Sequence, residues 1–330
     1  MKIHAFAAMA RGEPLQPFSY EPADLGPFEI LVKVSHCGLC YSDIHLIDDD
    51  WKKSKYPLVP GHEIIGTVVK KGDAVTLKMG ERVGVSWIRS SCLNCSVCYQ
   101  GDTNICSQRT VTCNGNYGGF ADHMVADSRF SYLIPEGLDS AHAAPLLCAG
   151  ATMYTPLRQN GIQGCHSVAI LGIGGLGHIG LQFAAAFGCE VTAISHSKGK
   201  EVEAKSFGAT KFLTLDSQPA TGQFDLILST VHSDLDWNQV IGLLKPKGTL
   251  CFVGRPGNPA LIEIGNLISS QKKICGSSTA SRALMNEMLA FAARHQIKPQ
   301  IERMALADVN KGIERVKANA VRYRVVLENK

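Results

Sequence analysis

Short runs of β-branched and apolar residues, broken by Gly and Pro, fill the first half of the chain: Ile30 to Val34, Gly66 to Val69, Arg82 to Val85 and Ala121 to Val125. This pattern predicts a compact, mostly β domain with long loops. From about Ala149 the rhythm changes. Val168 to Gly172, Glu190 to Ser195, Phe224 to Thr230 and Thr249 to Gly254 read as buried strands, separated by stretches able to form helices. Such alternation predicts a parallel sheet covered on both faces. Between the first two of these strands, Leu176, Ile179, Phe183 and Phe187 recur at helical steps, and Gly188 is placed to end the helix. From about Glu287 a helical pattern leads to a short strand, Arg324 to Leu327; periodicity does not say which domain it joins.

A chain of 330 residues exceeds the usual span of about 100 to 200 residues per domain, so two domains are expected. Apolar residues at 45% and charged residues at 19% allow most of it to fold. The net charge of +4 is spread along the chain without a dense basic block, which argues against a nucleic-acid or membrane surface. The apolar run Ala5 to Ala10 is too short for a signal peptide core, and the stretch around Ala143 to Tyr154 falls short of the roughly 18 residues of a bilayer span. A cytoplasmic protein is expected.

Twelve cysteines in such a chain point away from a disulfide scaffold, and spacing has to decide their use. Cys92, Cys95, Cys98 and Cys106 follow C-x2-C-x2-C-x7-C, in which tight turns can bring four thiolates around one ion. Zinc is favoured over an iron–sulfur cluster, because Ser107 stands where a ferredoxin-type run carries Pro. Cys37, Cys113, Cys165, Cys189, Cys251 and Cys275 are scattered among small or apolar neighbours and read as ordinary reduced residues.

The loop Gly172-Ile-Gly174-Gly175-Leu176-Gly177 follows a predicted strand and opens a predicted helix, the context in which G-x-G-x-x-G binds a dinucleotide pyrophosphate. At the end of the next strand stand Ser195, His196, Ser197, Lys198 and Lys200, with no carboxylate to bond the ribose hydroxyls of NAD. Hydroxyls and lysines suit a 2′-phosphate, so NADP(H) is expected.

The runs G-L-C-Y-S-D-I-H from Gly38, V-P-G-H-E to Glu63, the four-cysteine lobe, A-P-L-L-C-A-G-A-T around Cys148 and the glycine loop resemble, in order over nearly the whole chain, the zinc-dependent medium-chain alcohol dehydrogenases. The closing segment is most similar to the cinnamyl alcohol dehydrogenase-like branch, which includes broad-range aldehyde reductases. The resemblance implies an α/β protein. Its GroES-like β-rich catalytic domain would be residues 1–148 and 287–330, with a structural zinc lobe at about 88–110, and residues 149–286 would form a Rossmann NADP-binding domain, with the active site in the cleft between the two. It implies two zinc ions per chain, the catalytic one held by Cys40, His62 and Cys148. Glu63 would enter or leave the coordination shell, and Asp43 would support the ligand histidine. Ser42 and His45 match the family's proton relay. Thr152, Thr230, Gly254, Ser277, Ser278 and Thr279 match cofactor positions, Lys200 matches the basic residue that serves the 2′-phosphate, and Trp87 matches a position near the catalytic metal. Interconversion of primary alcohols and aldehydes by a homodimer is the implied function. A related secondary-alcohol or polyol dehydrogenase and a zinc- and NADPH-binding sensor without turnover are the alternatives. The link from Cys106 to Tyr117 is shorter than usual for the branch, and Ser42 stands where Thr is common, which leaves the pocket's size open.

Overall fold

The computed structural model describes residues 1–329 and divides into two compact units, Met1–Ala151 with the segment from Thr279 onward, and Thr152–Ser278. The return to the first unit comes at Thr279, ahead of the helix Arg282–His295, which a boundary at residue 287 would cut. That helix is one cooperative piece: the Ser281 hydroxyl caps it by accepting from the Leu284 N–H, and it buries Met285, Met288, Leu289 and Ala292.

The second unit is a six-stranded sheet, all parallel, in the spatial order Lys211–Leu213, Glu190–Ile194, Ser167–Leu171, Phe224–Ser229, Leu244–Phe252, Lys273–Gly276. Numbered within the unit this is 3-2-1-4-5-6, the doubly wound Rossmann order. Ala169, Leu171, Ile194 and Ile227 pack against Trp237, Val240 and Ile241 of the helix Trp237–Gly242 in one apolar core. The first helix runs Gly177–Ala186, buries Ile179 and Phe183, and is followed by Gly188 at φ 82°. Three strands escape the hydrophobic pattern. The outermost strands are short and half exposed, and the strand expected from Thr249 begins at Leu244, because a bulge takes up the Lys-Pro-Lys-Gly run between the pairs Phe224 with Leu244 and Leu226 with Thr249.

In the first unit the long strand Glu29–Leu39 is central. It pairs antiparallel with Glu63–Lys71, with Arg324–Glu328 and with His123–Asp127. Register shifts at Leu31/Val32 and Val34/His36 let one strand serve several partners. The sheet continues through Arg82–Val85 to Ser131–Leu133 on one side and to Ile301–Ala305 on the other. Ile30, Val32, Val34, Ile64 and Val325 anchor its core. No described helix is long and apolar enough to cross a membrane.

Candidate active site and metal centres

The four clustered cysteines occupy one lobe. Cys95 precedes the short helix Ser96–Tyr99 that carries Cys98, and Cys106 ends the 3-10 turn Thr103–Ile105. Sulfur separations are 3.9 Å for Cys92–Cys98, 3.9 Å for Cys95–Cys106 and 3.6 Å for Cys92–Cys106. A tetrahedron with metal–sulfur bonds of about 2.3 Å has edges of about 3.8 Å. The donor set therefore fits zinc, and the spacing is far from the roughly 2.05 Å of a disulfide. The Ser91 hydroxyl, 3.4 Å from Cys98 Sγ, is foremost among the groups holding that thiol down to about 6.

Four more donors come from separate parts of the chain. Cys40 follows the strand Glu29–Leu39 and caps the helix Tyr41–Ile47; His62 and Glu63 lead into the strand Glu63–Lys71; Cys148 lies in the wide π-helical turn Leu146–Gly150. Their ligand atoms all fall within 4.8 Å of one another, and the two sulfurs are 3.9 Å apart. Asp43 sets this geometry. Its Oδ2 accepts the Cys40 N–H at 3.0 Å, while Oδ1 accepts the Gly61 N–H at 2.9 Å and faces His62 Nδ1 at 2.8 Å. An ionised carboxylate only accepts, so Nδ1 carries a ring proton, and Nε2 presents a lone pair whenever the ring is neutral; against the pull of burial, Asp43 raises the metal-free imidazole well above its ordinary range. Nε2 is buried without a hydrogen-bond partner, an arrangement that costs about 1–3 kcal/mol unless something fills it. Two thiols and a deprotonated ring nitrogen suit zinc. The hydrogen bond from Cys148 holds Cys40 well below the ordinary thiol range and correspondingly raises Cys148.

Glu63 is fully buried beside these donors. Its Oε1 accepts from Arg324 Nη2, and its Oε2 has no partner. Burial pushes its carboxyl up to about 7, against the pull of Arg324. Room for the carboxylate comes from Gly38, opposite Glu63 in the sheet, where an added Cβ would stand 1.9 Å from Oε2.

Ser42 and His45 lie three positions apart on the helix Tyr41–Ile47, on one face. His45 Nδ1 is 2.6 Å from Asp50 Oδ2, with the imidazole partly exposed. A row of rings leads back to the ligand histidine: His45 against Trp51 at 5.2 Å, Trp51 against Trp87 at 6.0 Å, and Trp87 edge-on to His62 at 4.9 Å.

In the second unit the glycine loop joins the strand Ser167–Leu171 to the helix Gly177–Ala186, with Gly175 and Leu176 leading into its first turn. A Cβ at Gly177 would lie 1.9 Å from the Gly172 carbonyl oxygen, whereas one at Gly174 would meet nothing within 4 Å. The first glycine is needed for close packing, and the second leaves open space above the helix N-terminus. Thr230 Oγ1 donates to the carbonyls of Leu171 and Gly172, both at 3.0 Å, and the Gly254 N–H donates to the Ser229 carbonyl. Ser195 is buried and its Oγ accepts the Ser197 N–H; His196 and Lys198 are exposed; Lys200 Nζ donates to the Ile173 carbonyl at 2.6 Å, beside the loop. Thr152 sits in the first turn of the helix Ala151–Gln159. Ser277 Oγ is 3.4 Å from Gln159 Oε1, and Ser278 is exposed. Thr279 differs from its neighbours, since it is buried and belongs to the first unit.

Residues 26–136 match the Alcohol dehydrogenase GroES-like domain family and residues 175–294 the Zinc-binding dehydrogenase family. The aldehyde reductase AdhA of Synechocystis sp. is 39% identical over 332 residues, covering 99% of each chain. The chain belongs to the zinc-type medium-chain alcohol dehydrogenases. Within that family of oxidoreductases it is similar in structure to a cinnamyl alcohol dehydrogenase from Sorghum bicolor, with a TM-score of 0.95 and 36% identity over 99% of this chain and 98% of that one. The CAD of Helicobacter pylori, solved in complex with NADP(H), follows with a TM-score of 0.92 and 28% identity over the same shares.

Three features of this alcohol dehydrogenase's site were not read from its sequence. Arg324 is the counter-charge of Glu63; the available signal was an arginine opening a short strand whose next three residues, Val325 to Leu327, are apolar and buried. Asp50 orients His45 from a run of three aspartates that reads as a solvated turn. Cys113, read as an ordinary core cysteine, has its sulfur within 4.8 Å of the ligand atoms of Asp43 and His62.

Proposed function

We propose that this dehydrogenase interconverts primary alcohols and aldehydes with NADP(H), using a catalytic zinc at Cys40, His62 and Cys148 and a structural zinc at Cys92, Cys95, Cys98 and Cys106. One observation carries the reading: the lone pair of His62 Nε2, fixed by Asp43 and unpartnered, faces the same point as the sulfurs of Cys40 and Cys148. Zinc at such a three-ligand site supplies a Lewis acid that acidifies an alcohol hydroxyl or polarises a carbonyl, and NADP(H) supplies or accepts the hydride. The chain's own part is positional and protic. Asp43 holds His62 in one tautomer and ties the Cys40 turn to the Gly61 turn. Arg324 draws one oxygen of Glu63 away from the cluster and leaves the other free to enter it. Ser42 exchanges a proton with the substrate hydroxyl, and His45, steadied by Asp50, passes it to solvent. Trp51 and Trp87 give the pocket an aromatic wall suited to planar aldehydes.

Preference for NADP(H) is supported by the absence of a carboxylate between Ser195 and Lys200, by Lys200 resting beside the glycine loop, and by the NADP(H) complex of the Helicobacter relative. A homodimer is supported by the edge strand Lys273–Gly276 and by the exposed apolar side chains of Leu261, Ile264 and Ile268 shortly before it in the chain, which another copy can cover. None of the twelve cysteines is paired in a disulfide, which suits a reducing cytoplasm.

The deciding experiment combines metal analysis with NADPH and NADH oxidation across aliphatic and aromatic aldehydes. Two zincs per chain and a clear NADPH preference are expected. Equal use of NADH overturns the cofactor assignment, and no turnover by a chain carrying two zincs overturns the aldehyde reading.

A further inference from the structure

Asn104 ties the zinc lobe to a segment far away in sequence. Asn104 sits in the 3-10 turn Thr103–Ile105, two positions before the ligand Cys106, and its Nδ2 donates to the backbone carbonyl of Thr279 at 2.6 Å. Both residues are buried, Asn104 5% and Thr279 8% exposed. The bond spans 175 positions of sequence and lands on the first residue of the returning segment. Directly ahead of Thr279 are Ser277 and Ser278, and ahead of them the edge strand ends at Gly276. The serines are therefore a two-residue span with both ends fixed: the Ser277 N–H bonds to the Phe252 carbonyl at one end, and the Thr279 carbonyl is clamped by Asn104 at the other.

We infer that Asn104 is a positioning residue for NADP(H): the four-cysteine zinc holds the turn that holds Asn104, and Asn104 fixes the place from which Ser277 and Ser278 meet the cofactor. The inference rests on the proposed NADP(H) reading and on the resemblance by which Ser277 and Ser278 match cofactor positions. It gives the lobe a task in the reaction beyond its own folding. A side chain that merely packed the lobe would not need its amide aimed at a carbonyl of a distant segment, and without that donor the buried carbonyl would be left unsatisfied. The backbone of Thr279 is the acceptor, so the device reads no side chain at that position. Only the donor can be removed by substitution.

The test uses the zinc-loaded full chain, with Asn104→Ala and Asn104→Asp compared with wild type. Asn104→Asp keeps the shape and places a carboxylate oxygen against the Thr279 carbonyl. Measured are zinc per chain, NADPH affinity by nucleotide fluorescence, and KM for NADPH and for one aldehyde. Both variants are expected to keep two zincs and to bind NADPH about five- to twentyfold more weakly, Asn104→Asp the weaker, with the aldehyde KM within twofold. NADPH affinity equal to wild type in a variant with two zincs overturns the inference. If Asn104→Ala loses the structural zinc, Asn104→Asp decides; loss of zinc from both shows that Asn104 serves the lobe alone and also overturns it. A wild-type chain that binds no NADPH overturns the cofactor assignment itself, an outcome distinct from a wild type that binds while the variants are unaffected.

Discussion

Arg324 and Glu63 form an ion pair buried beside Cys40, His62 and Cys148, and the arginine reaches it from the strand that flanks Glu29–Leu39. Removing one member of a buried pair strands the other. Arg324→Met should cost about 3–5 kcal/mol of stability, by the usual penalty for an uncompensated buried charge. Chemical denaturation of the zinc-free chain measures it; a loss below about 1 kcal/mol would mean that Glu63 is content without its partner.

The same carboxylate gives a pH signature. Burial raises Glu63 from its ordinary 4.5 to about 7, so the native state binds this proton more tightly than the unfolded one. Its contribution to stability is present at low pH and is lost as pH rises from about 4.5 through about 7. Zinc-free wild type should therefore lose melting temperature relative to Glu63→Gln between pH 5 and pH 8. Parallel curves for the two proteins would contradict the raised value.

Asp43 makes three hydrogen bonds, to Cys40, Gly61 and His62, and none of them can be made by Ala. Loss of such a support usually lowers metal affinity about 10- to 100-fold. In competition with a chelator, Asp43→Ala should give up one zinc at a correspondingly lower chelator concentration and retain the second, held by the distant cysteine lobe. Simultaneous loss of both ions would show that the two centres are not independent.

Lys200 brings its ammonium to the Ile173 carbonyl within the glycine loop. If it also neutralises the 2′-phosphate, Lys200→Ala should lower kcat/KM for NADPH about tenfold, equivalent to about 1.4 kcal/mol, and change the value for NADH less than twofold. Equal losses with both nucleotides would make Lys200 a support of the loop alone.

Variants at His45 and Asp50 test the proposed proton path separately from metal binding. His45→Gln should slow turnover about a hundredfold, within the range of a lost acid–base group, with zinc content unchanged. Asp50→Asn should cause a smaller loss, because the imidazole stays while its orientation loosens. A His45→Gln enzyme as fast as wild type would remove this residue from the proton path.

Much of the parallel-sheet unit was legible because its central strands each carry a short buried apolar run, such as Val168–Leu171 and Leu226–Leu228, and its glycines stand at a strand-to-helix junction. The edge strands Lys211–Leu213 and Lys273–Gly276 were not, since half-exposed strands alternate too briefly to leave a pattern. At the catalytic cluster, residue types and family resemblance pointed to Cys40, His62 and Cys148. Spacing alone did not bring them together, because their convergence depends on register shifts and a wide turn that periodicity does not encode. Partners supplied by tertiary contact were invisible for the same reason. Arg324 meets Glu63 across 261 positions, and Asn104 meets Thr279 across 175.

The separation between Glu63 and Arg324 also orders events at the ribosome. Cys40, His62 and Cys148 leave the exit tunnel early, and the whole parallel-sheet unit follows before Arg324 can arrive. During that interval Glu63 has its zinc-facing neighbours and no counter-charge. Because Arg324 lies in the final strand, the first unit gains the cation for its buried carboxylate only when the last of the chain is in place.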